Sequence, residues 1–351
     1  MKPESIQAQM NKIDRELLVL LQERMGLFLR STKTGAADPE AALKKPLLAD
    51  ADQMNLDLIE SGFSNRLLQI IIEESQRLKN EDRPLVAFQG EHGAYGEVAA
   101  RRLVPGGAYI PCLEFNDVFD GVENGQFDLG VVPVENSLEG AVTQVNDLLT
   151  TTGLKIQGEA KVPVKHCLLA PETTDYRDIR MVYSHPQALA QCREFLMRNK
   201  LEPRPYYDTA GAAKMLAREN PKAAAAIASS LSAELYNLNI IKEGVEDGPS
   251  NRTRFLLMSR EGAAGGNKTS VIFCTPHKAG SLYSVLRLFA ENNINLTRIA
   301  SMPLRSDPEN YSFFLDFEGA AEDAPVDDVL QKMTALTISL KQLGTYPADA
   351  V

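Results

Sequence analysis

Two guanidiniums and a hydroxyl fall within the five residues Asn251-Arg252-Thr253-Arg254-Phe255, a concentration of donors suited to an anion. An Arg fork holds a carboxylate by two parallel hydrogen bonds, and a Thr hydroxyl between two forks can donate to a third oxygen of the same ligand. The expected ligand is a small organic acid with more than one negative charge. Gly248-Pro249-Ser250 ahead of the stretch cannot be helical, and Phe255-Leu256-Leu257-Met258 after it is an apolar run of strand length, so the spacing predicts a loop delivering these groups to a sheet edge. An R-x-R that merely pairs with Glu246 and Asp247 at the surface has the same local pattern, so the reading depends on the rest of the chain.

The elements that position such a site begin at residue 85. Leu85-Val86-Ala87-Phe88 and Leu129-Gly130-Val131-Val132 read as strands, and 95–103 and 140–150 as helices, the alternation of a mostly parallel α/β sheet. Ligands in such sheets lie beyond the carboxyl ends of the strands. Four loops fall there: Gln89-Gly90-Glu91-His92-Gly93-Ala94-Tyr95, Val132-Pro133-Val134-Glu135-Asn136-Ser137, Tyr183-Ser184-His185-Pro186-Gln187, and Ala228-Ser229-Ser230. With 251–255 they predict a cleft.

The chain has 351 residues, 44% apolar and 24% charged, enough for two or three domains. A net charge of −10 argues against nucleic acid, so an anionic ligand must be held by local cations rather than by the global field. Cys112, Cys167, Cys192 and Cys274 form no C-x-x-C pair, which suits a reducing compartment without structural metal. No apolar stretch of membrane-spanning length occurs, and the expectation is a cytoplasmic protein with no membrane partner.

Ahead of the α/β region, Ile6, Met10, Ile13, Leu17, Leu20, Leu21, Met25 and Phe28 mark one face of a helix over 4–30. Further helices are predicted over 52–60 and over 64–79, with Leu67, Leu68, Ile71, Ile72 and Ser75 inward. Three such helices cannot bury their stripes alone, which predicts pairing with a second copy in a homodimer or homotetramer. At the other end, 262–267 is a flexible linker by composition. Beyond it come a strand at 269–274, a helix at 281–292, strands at 295–300 and 311–317, and a helix at 326–338.

Residues 84–260 resemble the prephenate dehydratase family throughout. The resemblance is carried by the Gln89 to Tyr95 loop, by Val132-Pro133-Val134-Glu135-Asn136-Ser137 with Gly140, by His166-Cys167-Leu168-Leu169, by Ser184-His185-Pro186-Gln187 with Gln191-Cys192, and by Asn251 to Phe255. It implies two α/β subdomains shaped like a periplasmic binding protein, with prephenate between them and no cofactor. Thr253 is then the donor to the leaving hydroxyl, and Arg254 the clamp on the side-chain carboxylate. Asn136, Ser137, Ser184, Gln187, Gln191 and Asn251 complete the substrate set. His185 is expected as a packed turn residue and Cys192 as a buried apolar neighbour. Gly96 departs from the Ser found in many relatives. Arogenate dehydratase is the near alternative; a non-catalytic amino-acid or keto-acid binding regulatory module has no use for a hydroxyl between two arginines.

The first 80 residues, with Ile13-Asp14-Arg15-Glu16-Leu17-Leu18 and Gln22-Glu23-Arg24, resemble the all-helical chorismate mutase domain. That implies Arg24, Lys33 and Lys79, with Lys44, as the cations available for chorismate. Gln7 stands where an Arg is usual, and Asp52 and Gln53 replace an Arg and a Glu, reversing the sign where a carboxylate should be met. The mutase site is therefore expected to be degenerate. Residues 268–351, of α+β type in βαββα order, resemble the ACT regulatory domain. Its effector motif is matched by Gly280-Ser281-Leu282-Tyr283, which with Asn295 implies phenylalanine bound between two copies. Ala300-Ser301-Met302-Pro303 departs from the second signature, Glu-Ser-Arg-Pro, and puts feedback in question. The three-part order, 1–80, 84–260 and 268–351, is that of the bifunctional P-protein type.

Overall fold

A computed structural model describes residues 3–33, 58–172, 174–248, 250–303 and 311–349. The arm consists of α1, Pro3–Lys33, and α2, Ser61–Asn80. They pair through the later part of α1: Phe28 and Ile72 are buried, and Arg24 Nη1 donates to Ser75 Oγ at 2.9 Å. Ile6, Met10, Ile13, Leu17 and Leu20 remain exposed on the earlier part. Of the helix expected over 52–60, residues 58–60 form a turn and a bend, while 52–57, with Lys44, lie outside the described residues.

Two lobes follow. The first contains β1 (Leu85–Gln89), α3 (Tyr95–Leu103), β2 (Ala108–Cys112), α4 (Phe115–Glu123), β3 (Leu129–Asn136), β4 (Gly140–Ala141), α5 (Thr143–Thr151) and β5 (Lys155–Pro163). The second contains β6 (Cys167–Ala170), β7 (Met181–Ser184), α6 (Pro186–Gln191), α7 (Arg193–Arg198), β8 (Glu202–Pro205), α8 (Thr209–Glu219), β9 (Ala224–Ala228), α9 (Ser230–Tyr236) and β10 (Asn239–Glu243). The chain then returns to the first lobe as β11, Arg252–Ser259.

The first sheet runs β2-β1-β3-β11-β5, with β4 on β3, and the second β10-β6-β9-β7-β8. Both are mixed rather than mostly parallel. β11 lies antiparallel between β3 and β5, and β6 lies antiparallel to β9 and β10. The returning strand is the reason: a chain that leaves one lobe and re-enters it needs no right-handed crossover and can pair in the opposite sense. The segment 164–166 and the residues just before β11 therefore form the two crossings between lobes.

The C-terminal domain contains β12 (Lys268–Thr275), α10 (Ser281–Glu291), β13 (Leu296–Pro303), β14 (Tyr311–Glu318), α11 (Ala324–Leu336) and β15 (Ser339–Tyr346), with sheet order β13-β14-β12-β15. The expected βαββα order thus stops one strand short, since β15 pairs with β12. Strand alternation divides this sheet. Val271, Phe273, Leu315 and Phe317 pack with Phe289 and Val329, while Ile272, Phe314, Leu343 and Tyr346 join the first lobe's core beside Leu85, Val132 and Ile156.

The linker is not a tether. A Cβ on Gly266 would fall 2.0 Å from the Tyr346 carbonyl carbon, so its glycine permits close backbone packing rather than flexibility. Lys341 Nζ donates to the carbonyls of Leu149 at 2.9 Å and Thr150 at 3.0 Å, placing a cation on the carbonyl end of α5.

Candidate functional site

Residues 252–254 lie in a strand, not in a loop, and strand period sends Thr253 to one side and its neighbours to the other. Thr253 pairs in register with Asn136 on β3, and Asn136 Nδ2 donates to Thr253 Oγ1 at 2.9 Å. Asn136 cannot turn over, because its Oδ1 accepts from the backbone N–H of Leu138 at 3.0 Å and of Glu139 at 3.2 Å. The same Nδ2 donates to Asn251 Oδ1 at 2.8 Å. Asn251 Nδ2 then donates to Gln191 Oε1 at 3.2 Å, and Gln191 Nε2 to the Glu139 carboxylate at 3.0 Å. A carboxylate accepts only, so the direction of each amide is determined from both ends. With an oxygen lone pair engaged by Asn136, the Thr253 hydroxyl has its proton to offer to whatever enters.

Thr253 and Asn136 line a cleft between the lobes together with Gln89, Tyr95, His166, His185, Gln187, Gln191, Asp208 and Thr209. Gly93, at φ +91°, crosses it on one side: its carbonyl accepts from Ser229 Oγ at 2.5 Å and Ser232 Oγ at 3.1 Å, and a Cβ there would sit 2.5 Å from Ser232 Oγ. Glu91 reaches Tyr207 at 2.8 Å and Lys214 at 3.0 Å, while Glu139 to Gln191 closes the other side.

Arg254 is not in this cleft. It is 6% exposed and faces the C-terminal domain, with Nε 2.6 Å from Glu159 Oε2, Nη1 on Asp316 and Nη2 3.0 Å from the Tyr346 hydroxyl. Lys268 Nζ reaches both Glu159 oxygens at 2.9 Å. Burial works to raise the Glu159 pKa, but Arg254 and Lys268 hold it below the ordinary carboxylate range; burial and Arg254 together lower that of Lys268. Arg252 is exposed and outside the lining. The expected pair of guanidinium clamps is therefore replaced by an interdomain ion cluster, because the two arginines share the face opposite Thr253.

Ser184 does not line the cleft either. It is fully buried and donates to the Ile227 carbonyl at 2.6 Å, stitching β7 to β9 instead. Ser137 is exposed at the edge, where its Oγ accepts from the Arg252 N–H at 3.0 Å. Asn251 holds its neighbours from a 2% exposed position, whereas Gln187 and Gln191 line the cleft directly. His185 caps α6, Nδ1 accepting from the Gln187 N–H at 3.3 Å, and Cys192 is buried with its thiol pKa pushed well up by burial.

Lining residues outside the expected site set include Gln89, Tyr95, His166, His185, Asp208 and Thr209, of which Gln89, Tyr95 and His185 lie in loops already singled out. Burial raises the Asp208 pKa, while its Oδ1 caps α8 by accepting from the Gly211 N–H at 2.7 Å. His166 already belonged to a sequence motif, but its position on an interlobe crossing leaves no periodic trace.

In the arm, Arg24 meets Ser75, and exposed Lys79 lies one turn further along α2. Lys33 is elsewhere: it pairs with Asp128 of the first lobe at 3.0 Å, so the three expected cations do not converge. In the C-terminal domain Gly280, φ +84°, caps α10 ahead of half-buried Ser281 and Leu282. Exposed Asn295 follows the opposite end of that helix, about 16 Å away at 1.5 Å per residue, so one copy does not join it to the Gly280 turn. Among the described residues no group of three or more His, Cys, Asp or Glu could hold a metal ion, and no helix is long and apolar enough to cross a membrane.

Comparison with known proteins is consistent with this geometry. The family model for prephenate dehydratase matches residues 86–263. A bifunctional chorismate mutase/prephenate dehydratase of Enterobacter agglomerans is 32% identical over 99% of this chain and 96% of its own. An arogenate dehydratase/prephenate dehydratase 2 of Arabidopsis thaliana, described as chloroplastic, is 41% identical over 78% of this chain and 76% of its own. Among solved structures, prephenate dehydratase from Arthrobacter aurescens in complex with L-Phe superposes with TM-score 0.68 at 33% identity, covering 75% of this chain and 89% of that one. GqqA, described as a novel type of quorum quenching acylase, gives TM-score 0.71 at 36% identity over 76% of this chain and 98% of its own.

Proposed function

The chain belongs to the prephenate dehydratase family of phenylalanine biosynthesis, and from that premise we propose that Thr253 donates the proton to the hydroxyl lost from prephenate in the interlobe cleft. The dianion, with one added proton, gives the phenylpyruvate monoanion, carbon dioxide and water. Breaking the bond between the ring and its carboxylate leaves an electron pair that completes the aromatic ring as the hydroxyl departs. Aromatisation supplies the driving force, so the protein must orient the substrate and deliver one proton.

The observation that carries this reading is the Thr253 hydroxyl, facing the cleft with an oxygen lone pair held by Asn136 at 2.9 Å. Gln187 and Gln191 offer neutral amides for the substrate's oxygens, while Asn136, its two N–H groups already engaged by Thr253 and Asn251, orients the hydroxyl. No Lys or Arg is among the residues lining the cleft, which leaves the departing ring carboxylate without strong ionic stabilisation.

The mixed name of the Arabidopsis relative supports arogenate as a second substrate, and Asp208 provides a carboxylate on the cleft wall for an ammonium group. The L-Phe complex of the Arthrobacter relative supports phenylalanine as effector. Its proposed place is near Gly280, Ser281, Leu282 and Asn295, in a domain of ACT type within a cytoplasmic homodimer or homotetramer. The helical arm is assigned a structural role, supported by the commitment of Lys33 to Asp128.

One assay panel tests the substrate, effector and mutase readings. Purified full-length protein is given prephenate, arogenate or chorismate, with and without phenylalanine, and aromatic products are followed by ultraviolet absorption. Phenylpyruvate from prephenate is expected, slowed by phenylalanine, with no consumption of chorismate. No product from either prephenate or arogenate would refute the proposed role of the cleft.

A further inference from the structure

A dianionic substrate meets no fixed cation on the cleft wall, where the side chains able to gain positive charge are His166 and His185. Their hydrogen bonds differ. His185 Nδ1 accepts from the Gln187 N–H at 3.3 Å, a role that only an unprotonated nitrogen can fill. His166 is 2% exposed and has acceptors at both nitrogens.

Its Nε2 lies 2.9 Å from Gln191 Oε1, the amide oxygen whose placement Glu139 enforces, so Nε2 carries hydrogen. Its Nδ1 lies 3.1 Å from the Tyr95 hydroxyl, whose one proton has two acceptors in reach, Nδ1 and the Lys165 carbonyl at 2.7 Å. In the neutral ring, therefore, that single proton cannot serve both, and either Nδ1 or the Lys165 carbonyl goes without it. In the doubly protonated ring Nδ1 donates to the Tyr95 oxygen, and all three contacts are satisfied at once.

We infer that His166 takes up a proton as the dianion enters and becomes the positive charge that holds it, a positioning residue that rests on the dehydratase reading above. The groups facing it are consistent with such a change. Tyr95 comes from α3 and Gln191 from α6; the Glu246 carboxylate accepts from the His166 backbone N–H at 2.8 Å; and the neighbouring thiol of Cys167, its pKa pushed up to about 11 by burial, is neutral, as is that of Cys192. Asp208 lies on the same wall and Glu139 stands behind Gln191. Burial lowers the His166 pKa, partly opposed by Gln191 and Glu246, which leaves the ring neutral in the empty cleft and ready to respond to substrate charge.

Two measurements test this. In the Thr253→Ala background, where turnover is slowed, calorimetric titration with prephenate in buffers of different ionisation enthalpy is expected to show net proton uptake, of at most one proton per site, above the free ring's titration. For the otherwise native enzyme, KM is expected to rise by up to about tenfold per pH unit above the free histidine's titration, with kcat changed far less. His166→Gln retains a neutral donor toward Gln191, and its KM should be elevated near pH 6 and nearly independent of pH. A merely structural histidine would leave the slope intact in His166→Gln. That slope, or binding of prephenate without proton uptake, overturns the inference even if His166→Gln fails to fold, because the calorimetry retains the histidine. Absence of any turnover by the native chain instead overturns the dehydratase reading.

Discussion

The two faces of β11 carry opposite kinds of polar chemistry one residue apart. On the cleft face, Thr253 sits in a chain of neutral amides running through Asn136, Asn251 and Gln191, with its only carboxylate, Glu139, at the exposed end. On the other face, Arg254, Glu159, Lys268 and Asp316 form an ion cluster buried between the first lobe and the C-terminal domain. A neutral network can fix the direction of a hydroxyl without binding an anion so tightly that it stays. Enclosed ions do the reverse: each demands its partner, so the two domains are held in one relative placement. The strand thus separates reactivity from assembly by its pleat alone.

The largest expected effect tests the cleft face. Thr253→Ala should lower turnover by roughly 10²- to 10⁴-fold, the range for losing an acid–base partner. Unfolding in urea should shift little, because Asn136 keeps its bond to Asn251 and its two backbone donors. Next comes the domain face. Arg254→Ala leaves Glu159 and Asp316 partly uncompensated in the interior, and a loss of about 3–5 kcal/mol in folding stability is expected. If Arg254 acted on substrate instead, the protein would stay stable while activity fell, and the contrast between the faces would be lost.

Much of this arrangement was legible in the chain. The α/β alternation and a cleft follow from strand-length apolar runs ending in Gly- and amide-rich loops, whereas Thr253, Asn136, Gln187 and Gln191 were singled out through the family resemblance of the motifs that hold them. Arg254 was misplaced for a definite reason: a loop has no fixed side-chain period, so reading 252–254 as loop allowed both arginines to join Thr253. The strand begins one residue after Asn251, and period two then removes them. Ser184 was misplaced because a hydroxyl at a strand end satisfies a carbonyl as readily as a ligand. β15 was missed because Ser339-Leu340-Lys341-Gln342-Leu343-Gly344-Thr345-Tyr346 has little apolar alternation, and its Lys341 serves the end of α5 in another domain. Gly266 reads as flexible in sequence for the same reason that it packs tightly in space: it has no side chain.

The smallest expected effect isolates the domain face from its charges. The Tyr346 hydroxyl lies 3.0 Å from Arg254 Nη2 and 2.6 Å from Ser270 Oγ, and the ring is fully buried in the core shared with the first lobe. Tyr346→Phe keeps that ring while removing the oxygen that accepts from Arg254. One guanidinium N–H loses its partner, whereas Ser270 retains Asp316 as acceptor, so a loss of about 1–3 kcal/mol is expected, below that of Arg254→Ala. The ion pairs to Glu159 and Asp316 survive, which should keep the domains docked, and kcat for prephenate should remain within about twofold. A marked fall in kcat at unchanged stability would mean that the cluster reaches Thr253 through the strand, making the two faces one coupled unit.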